Sequence, residues 1–266
     1  MQASLTLQLD AVTDNATRYL LRLGDTCLIL GQRLGQWCGH APVLEEDIAL
    51  ANMALDLIGQ ARAVLTLAGQ PHGLDEDQLA FLRDERDYLN PTLVELPGGP
   101  GSHNGAEFAV TVLRNAMVAT WLQLLWGRLA TSTNAELAAI AGKAVKEARY
   151  HQQHAADWVV RLGDGTAESH RRCQAAVATL WRYSAELFEA DAVDAAAVAS
   201  GLGPSWAELQ APWQAEMAEI LADATLAVPA ATAFRSSGKQ GVHSEHMGHL
   251  LAEMQHLQRS FPGGVW

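Results

Sequence analysis

The chain has 266 residues, of which 49% are hydrophobic and 18% charged, so it can bury a sizeable core and is not intrinsically disordered. Lys and Arg number 18 against 30 Asp and Glu, and the formal net charge of −12 disfavours nucleic acid and anionic membranes as partners. We expect neither a membrane-spanning segment nor a signal peptide. These features predict a cytoplasmic protein.

An Ala- and Leu-rich composition without alternating strand patterns predicts an all-α fold. The first helix is expected over about 15–38 and the second over about 44–68, each followed by Gly and Pro. The second helix carries an apolar stripe that we expect to face the core. The stripe consists of Ile48, Ala51, Leu55 and Ile58.

A shorter helix over about 75–86 leads into a Pro- and Gly-rich connection, which neither a helix nor a strand could contain. Two more long helices are expected over about 106–130 and 135–162. Two long helix pairs on either side of one long crossover predict a ferritin-like four-helix bundle.

The remaining sequence predicts additional helices over about 167–190, 206–226 and 244–260, with small-residue linkers over 192–203 and 229–241. We expect a single domain over 1–266, with a core bundle over about 15–165 and the additional helices over about 166–261. Tryptophan is enriched in buried interfaces, so the tryptophans of the C-terminal region fit a surface that a protein partner covers. These are Trp206, Trp213 and Trp266.

Active ferritin-like proteins hold two irons with a Glu from each of two helices and a Glu-x-x-His from each of the other two. The first helix offers only Asp25, and the second offers Asp56 with Gly59 in the histidine position. On the fourth helix, Glu147 is followed by Tyr150 where a histidine is required. The ligand set is therefore broken, and we expect no catalysis and no metal in this chain.

The polar residues left at these positions have two interpretations, and the sequence leaves both open. They form either a degenerate metal pocket filled by hydrogen bonds and ion pairs, such as Arg114 with Asp56 or Glu147, or an ordinary solvated face. The residues of this degenerate site are Asp25, Asn52, Asp56, Gln60, Glu107, Arg114, Glu147, Tyr150 and His151.

Two other groups of residues could hold a metal ion. Glu147, His151 and His154 share one helical face and could bind zinc, although histidines on a polar face are more often solvated. Glu253 and His256 form a Glu-x-x-His on the last helix, without a visible partner motif.

Several segments occur together in the order typical of one family. They include Tyr19-Leu-Leu-Arg-Leu-Gly-Asp25, Leu55-Asp-Leu-Ile-Gly-Gln-Ala-Arg62, Leu82-Arg-Asp-Glu-Arg-Asp-Tyr-Leu-Asn90, Lys146-Glu-Ala-Arg-Tyr-His151 and His243-Ser-Glu-His-Met-Gly-His249. Over nearly the whole chain, the sequence resembles the C-subunit family of the multicomponent ring 1,2-phenylacetyl-CoA epoxidases.

The resemblance implies a ferritin-like protein that has lost its iron ligands and pairs with a homologous catalytic A subunit. It implies a structural, non-catalytic role in aerobic phenylacetate degradation, with the di-iron centre in the A subunit. NADPH, FAD and an iron–sulfur cluster would bind the reductase, which is the E subunit, and a B subunit would complete the complex. A stand-alone ferritin-like oxidase or oxygenase, or a helical scaffold of another complex, remains the alternative.

In such a complex, seven residues are candidates for the partner interface, although each could instead form an ion pair within the chain. Four lie on the crossover and three on the His-rich C-terminal segment. They are Arg83, Arg86, Asp87, Tyr88, His243, His246 and His249.

Overall fold

The computed structural model describes residues 14–99 and 107–264. This part of the chain contains eleven α-helices and no β-strand, which confirms the predicted all-α fold class. The helices are α1 (Asn15–Gly35), α2 (Leu44–Gly69), α3 (Glu76–Phe81), α4 (Thr92–Glu95), α5 (Glu107–Leu129), α6 (Ala135–Gly163), α7 (Ala167–Leu180), α8 (Ala192–Ser200), α9 (Gln210–Asp223), α10 (Glu245–Met254) and α11 (His256–Ser260).

Four long helices, α1, α2, α5 and α6, form the bundle. α1 packs along α2, and α5 packs along α6, while the two pairs meet where α2 contacts α6. The crossover from α2 to α5 carries the short helices α3 and α4 in its described part. This arrangement is the ferritin-like layout that the sequence predicts.

Side-chain caps fix where several of these helices begin. Asp14 accepts a hydrogen bond from the backbone N–H of Thr17 at 2.8 Å, and Asn134 caps α6 in the same way. Such caps satisfy N–H groups that have no partner within the helix. The structure therefore starts α1 and α6 at the residues that the sequence pattern indicates.

The C-terminal region departs from the sequence prediction in three places. The α-helix expected over 167–190 ends at Leu180, and a 3₁₀ helix, Trp181–Phe188, follows it. The expected linker over 192–203 is wrong, because Ala192–Ser200 forms α8, which Asp191 caps and Gly201 ends with a φ of +71°. The expected single helix over 244–260 is interrupted at Gln255, whose buried side chain donates hydrogen bonds to backbone carbonyls of the crossover.

Large aromatic side chains fill the junction between the bundle and the additional helices. The ring of Trp206 lies 4.7 Å from that of Trp121, and Nε1 of Trp213 donates to the carbonyl of Met117 at 2.8 Å. Both Trp206 and Trp213 are fully buried within the chain. The expectation that these two tryptophans meet a protein partner is therefore wrong, and Trp266 lies outside the described residues.

A segment that we call the C-terminal strap, residues 236–260, lies across the crossover. Buried Glu186 holds its start, since this carboxylate accepts hydrogen bonds from the hydroxyl of Ser236 at 2.6 Å and the N–H of Lys239 at 2.8 Å. The same carboxylate accepts from the N–H of Thr92 at 2.9 Å. One buried charge thus joins the strap to the start of α4.

Two helices of the described chain, spanning 44–72 and 108–129, are long and apolar enough to cross a membrane by length and composition alone. In the segment that contains α5, 78% of the most apolar stretch is buried inside the bundle, as befits a core helix. In the segment that contains α2, the buried share is 44%.

Candidate functional site

Four of the nine predicted residues of the degenerate site meet where α2 packs against α6. Nε2 of His151 lies 3.1 Å from Oδ2 of Asp56, and Nε2 of Gln60 donates to Oε2 of Glu147 at 2.9 Å. One turn further along α6, His154 and Glu46 lie 2.9 Å apart without hydrogen-bond geometry. Polar side chains from the two helices therefore contact one another in pairs.

Burial has a clear effect on the charge of this cluster. The side chain of His151 is almost fully buried, and this burial lowers its pKa more than the neighbouring carboxylate of Asp56 raises it. His151 is therefore neutral near pH 7. A neutral imidazole beside a carboxylate is a hydrogen-bonded pair in which the histidine N–H donates.

Two polar residues inside the bundle were missed by the sequence analysis. Sγ of Cys27 lies 3.7 Å from Oε1 of Gln60, and Nδ2 of Asn115 lies 3.6 Å from Sδ of Met53. Burial raises the pKa of the Cys27 thiol, so it remains protonated. Cys27 lies within the first predicted helix, seven residues after Leu20 and seven before Leu34, and this apolar spacing was the available signal for its burial.

Asp25 does not belong to the cluster between α2 and α6. Nη1 of Arg83 donates to Oδ2 of Asp25 at 3.0 Å, and Nη2 donates to Oδ1. The N–H of Leu89 donates to the same carboxylate at 2.8 Å. Both charged side chains are fully buried, so Asp25 joins α1 to the crossover and Arg83 is not available to a protein partner.

The predicted pairing of Arg114 with Asp56 or Glu147 is also wrong. Arg114 is fully buried on α5 and donates through Nη1 to the carbonyl of Leu96, while its Nε and Nη2 have no hydrogen-bond partner among the described residues. Burial and the nearby charge of Arg33 lower its pKa to about 9. Arg114 therefore supports the backbone of the crossover and does not neutralise a carboxylate of the bundle.

Of the other predicted residues of the degenerate site, two lie at the surface, and the side chain of the third lies outside the described residues. Asn52 is exposed on α2, and the side chain of Tyr150 is 53% exposed on α6. Glu107 begins α5, but its side chain lies outside the described residues. The nine residues thus do not form one pocket.

The side chains of the two other candidate metal sites do not converge in the described residues. Glu147, His151 and His154 do share one face of α6, but each contacts a different residue of α2. The helix break at Gln255 separates Glu253 from His256. In the described ranges 14–99 and 107–264, no three His, Cys, Asp or Glu side chains are placed to hold a metal ion together.

Three of the seven predicted interface residues are buried, which corrects that prediction for them. Arg83 lies in the core, and the hydroxyl of Tyr88 donates to the carbonyl of Ala80 beneath the strap. The side chain of His243 is also fully buried. The other four, Arg86, Asp87, His246 and His249, are wholly or partly exposed.

His243 binds two acceptors at once. Its Nδ1 lies 2.6 Å from Oε2 of Glu95, and its Nε2 lies 2.8 Å from the carbonyl oxygen of Tyr88. Both ring nitrogens must carry a proton to donate to these oxygens. Burial by itself lowers the pKa of His243, but the hydrogen bond and charge of Glu95 raise it above the ordinary value of 6.5.

This geometry predicts how stability depends on pH. A raised pKa in the folded chain adds stability below pH 6.5, and that contribution is lost as the pH rises through the raised pKa. We expect the difference in free energy of unfolding between the wild type and His243→Gln to shrink with rising pH, as measured by urea unfolding. The control is the same substitution in a Glu95→Gln background. If the difference in free energy of unfolding between the wild type and His243→Gln did not depend on pH, this would contradict a raised pKa of His243.

Comparison with known proteins places the chain in a family. The family described as phenylacetic acid catabolic protein matches residues 3–266. The chain is 50% identical over 251 residues to the C subunit of the 1,2-phenylacetyl-CoA epoxidase of Escherichia coli (strain K12), and the match covers 94% of this chain and 98% of that protein. The chain therefore belongs to the phenylacetic acid catabolic protein family.

Proposed function

We propose that this chain is the structural C subunit of a phenylacetyl-CoA 1,2-epoxidase and that the reaction takes place on a homologous catalytic A subunit. The similarity to the C subunit of the E. coli enzyme over 94% of the chain supports membership of such a complex. The proposed complex is cytoplasmic and includes the A, B and E subunits. Its di-iron centre would lie in the A subunit, and NADPH, FAD and the iron–sulfur cluster would bind the E subunit.

The geometry between α2 and α6 carries the proposal of a non-catalytic role. A di-iron site needs several carboxylates and two histidines that converge on the metals. Here the carboxylates and histidines between α2 and α6 lie in separate pairs and do not converge on one point, and the neighbouring interior positions hold Cys27, Met53 and Asn115. These side chains do not fit a di-iron centre, so we assign no redox step to this chain.

The bundle instead provides a rigid body. Ligands of a metal centre keep their geometry only when the helices that carry them are held by surrounding packing. A second helical bundle beside the catalytic one can supply that packing without reacting itself. The buried ion pairs that tie the crossover and the strap to the bundle keep this chain rigid in that role.

Co-expression with the catalytic subunit of the same organism tests the proposal. We expect the two chains to co-elute in size-exclusion chromatography and the iron, measured by mass spectrometry of the metals, to follow the catalytic chain alone. A Glu147→Ala variant is the control, because it should leave the iron content of the complex unchanged. Stoichiometric iron in this chain alone, reduced by Glu147→Ala, would contradict the proposal and favour a stand-alone oxidase.

A further inference from the structure

One buried guanidinium, that of Arg114 on α5, has two N–H donors to spare. Arg114 is fully buried, and its Nη1 donates to the carbonyl of Leu96, the residue that follows α4. Its Nε and Nη2 are shielded from solvent and have no hydrogen-bond partner among the described residues. Nearly every buried donor in a native protein has an acceptor, which can be a bound water or ion. Two such donors on one charged group therefore point to a ligand that accepts from both.

The two nitrogens are the pair that can hold one ligand together. Nε and Nη2 lie along the same edge of a guanidinium, and their N–H bonds on that edge point in the same direction. Anions accept both of these N–H bonds at once, and charge-assisted hydrogen bonds of this kind are stronger than neutral ones. Nη1, which is not part of this edge, is the nitrogen that binds the backbone at Leu96. Arg114 thus presents a bidentate donor to the interior of the protein.

The charges around Arg114 favour an anion over a water molecule. The neighbouring charge that acts on Arg114 is that of Arg33 on α1, which has the same sign. Arg33 is itself buried, and it donates to the carbonyl of Glu95 at 3.0 Å and to Oε1 of Gln36 at 3.3 Å. Both acceptors are neutral. Within the described chain, the two guanidiniums therefore lie near each other without an ion pair to a carboxylate.

The buried carboxylate of this region is already bound by other donors. The side chain of Glu95 pairs with the imidazolium of His243 and accepts from two further N–H groups. Glu253, the other carboxylate whose charge acts on Arg33, is exposed on the strap. Arg33, Arg114 and His243 thus place three buried cations around one buried carboxylate. A buried cation without a counter-charge is strongly destabilising, and a bound anion would remove that cost.

Backbone packing holds the guanidinium of Arg114 in place. Thr111, one turn earlier on α5, donates to the carbonyl of Gly98 at 2.7 Å. A Cβ at Gly98 would lie 2.8 Å from Cγ1 of Val110 and 3.6 Å from Nη1 of Arg114, so glycine allows the crossover to approach α5 this closely. Arg114 is therefore fixed between α5 and the crossover. A donor pair that is held in position loses little conformational entropy when it binds a ligand.

We propose that Arg114 binds a small monovalent anion of the size of chloride through Nε and Nη2. The shielding of both nitrogens from solvent excludes large anions such as nucleotides. The anion would balance the excess of buried positive charge where α1, the crossover and α5 meet, and would make the stability of the chain depend on anion concentration. The inference does not rest on the proposed function, because the residues that form the site all belong to this chain.

Urea unfolding of the full chain at constant ionic strength tests the site. Sodium chloride replaces sodium gluconate step by step, since the gluconate anion is too large for the site. A ligand that binds the folded chain multiplies the folding equilibrium constant by one plus the ratio of its concentration to its dissociation constant. We therefore expect a saturable site that raises this constant about elevenfold when chloride is present at ten times its dissociation constant.

Two arginine variants assign the effect to one residue. Arg114→Met removes the guanidinium but keeps a long side chain, and it should abolish the dependence on chloride. The matched control is Arg128→Met, which changes an exposed arginine and should keep the dependence of the wild type. A flat chloride titration of the wild type would overturn the proposal, as would an equal dependence in Arg114→Met.

Crystals of the wild-type chain soaked in bromide provide a measurement that does not require Arg114→Met to fold. Anomalous scattering should place one bromide within hydrogen-bond distance of Nε and Nη2 of Arg114. An ordered water there, with no bromide signal, would overturn the proposal. Glu107→Gln tests whether the chain itself supplies the counter-charge, and we expect this variant to keep the chloride dependence. If Glu107→Gln lowered stability as much as Arg114→Met and chloride had no effect on the wild type, the counter-charge would be Glu107 and not a bound anion.

Discussion

Replacing Asp25 with alanine is expected to lower the free energy of unfolding by about 3–5 kcal/mol, because it leaves the charge of Arg83 buried without a partner. Both side chains are fully buried, and Asp25 also accepts the N–H of Leu89. The substitution therefore removes a counter-charge and a backbone acceptor together. Urea unfolding followed by circular dichroism measures the loss.

A matched ion pair at the surface provides the control for this experiment. Arg128 and Glu208 lie 2.8 Å apart, but each side chain is about half exposed. We expect Arg128→Ala to cost less than about 1 kcal/mol, since solvent screens such pairs. If Asp25→Ala cost no more than Arg128→Ala, the buried pair would not be the link between α1 and the crossover.

Replacing Glu95 with alanine is expected to release the C-terminal strap and to cost about 3 kcal/mol or more. The carboxylate of Glu95 is fully buried and accepts from the amide of Asn90 at 2.9 Å and the N–H of Ser244 at 2.6 Å. It also balances the charge of His243. Without it, three donors lose their acceptor, and one of them is the buried cation of His243.

Hydrogen exchange provides the sharper measurement, because it locates the loss along the chain. Amides of the strap should exchange faster in Glu95→Ala, whereas those of α5 should change little at equal global stability. The control is Glu245→Ala, whose side chain lies 3.9 Å from that of His246 at the surface and is 86% exposed. Unchanged protection of the strap in Glu95→Ala would contradict its role as the anchor.

Sequence periodicity was enough to predict the bundle. The Gly and Pro residues after the first two helices mark ends that a single sequence reveals, because such breakers act locally. The broken iron ligand set is a prediction of the same kind, since the spacing of such ligands lies within single helices. The Ala-rich segment over 192–200 was misread as a linker because small residues alone do not distinguish a helix from a loop.

The face of α2 that packs against the bundle could not be predicted, because a helix that is apolar on nearly all sides has no single apolar stripe. Leu55 and Leu57 are equally apolar, and only the packed structure shows that Leu57 faces the core. The ion-pair partner of Asp25 could not be predicted either, since Arg83 is 58 residues away in the sequence. Pairings of that kind depend on the tertiary fold, which local sequence patterns do not encode.

The strap has a consequence for how this protein is made. Glu95 accepts from residues 148 and 149 positions later in the chain, and carbonyls near residue 80 accept from Gln255. At synthesis rates of ~5–20 residues per second, these acceptors wait roughly 7–35 s for their donors to be synthesised. The crossover therefore completes its structure only after residues 236–260 have been synthesised, and a chain that stops before the strap leaves the buried carboxylates of Glu95 and Glu186 without most of their donors.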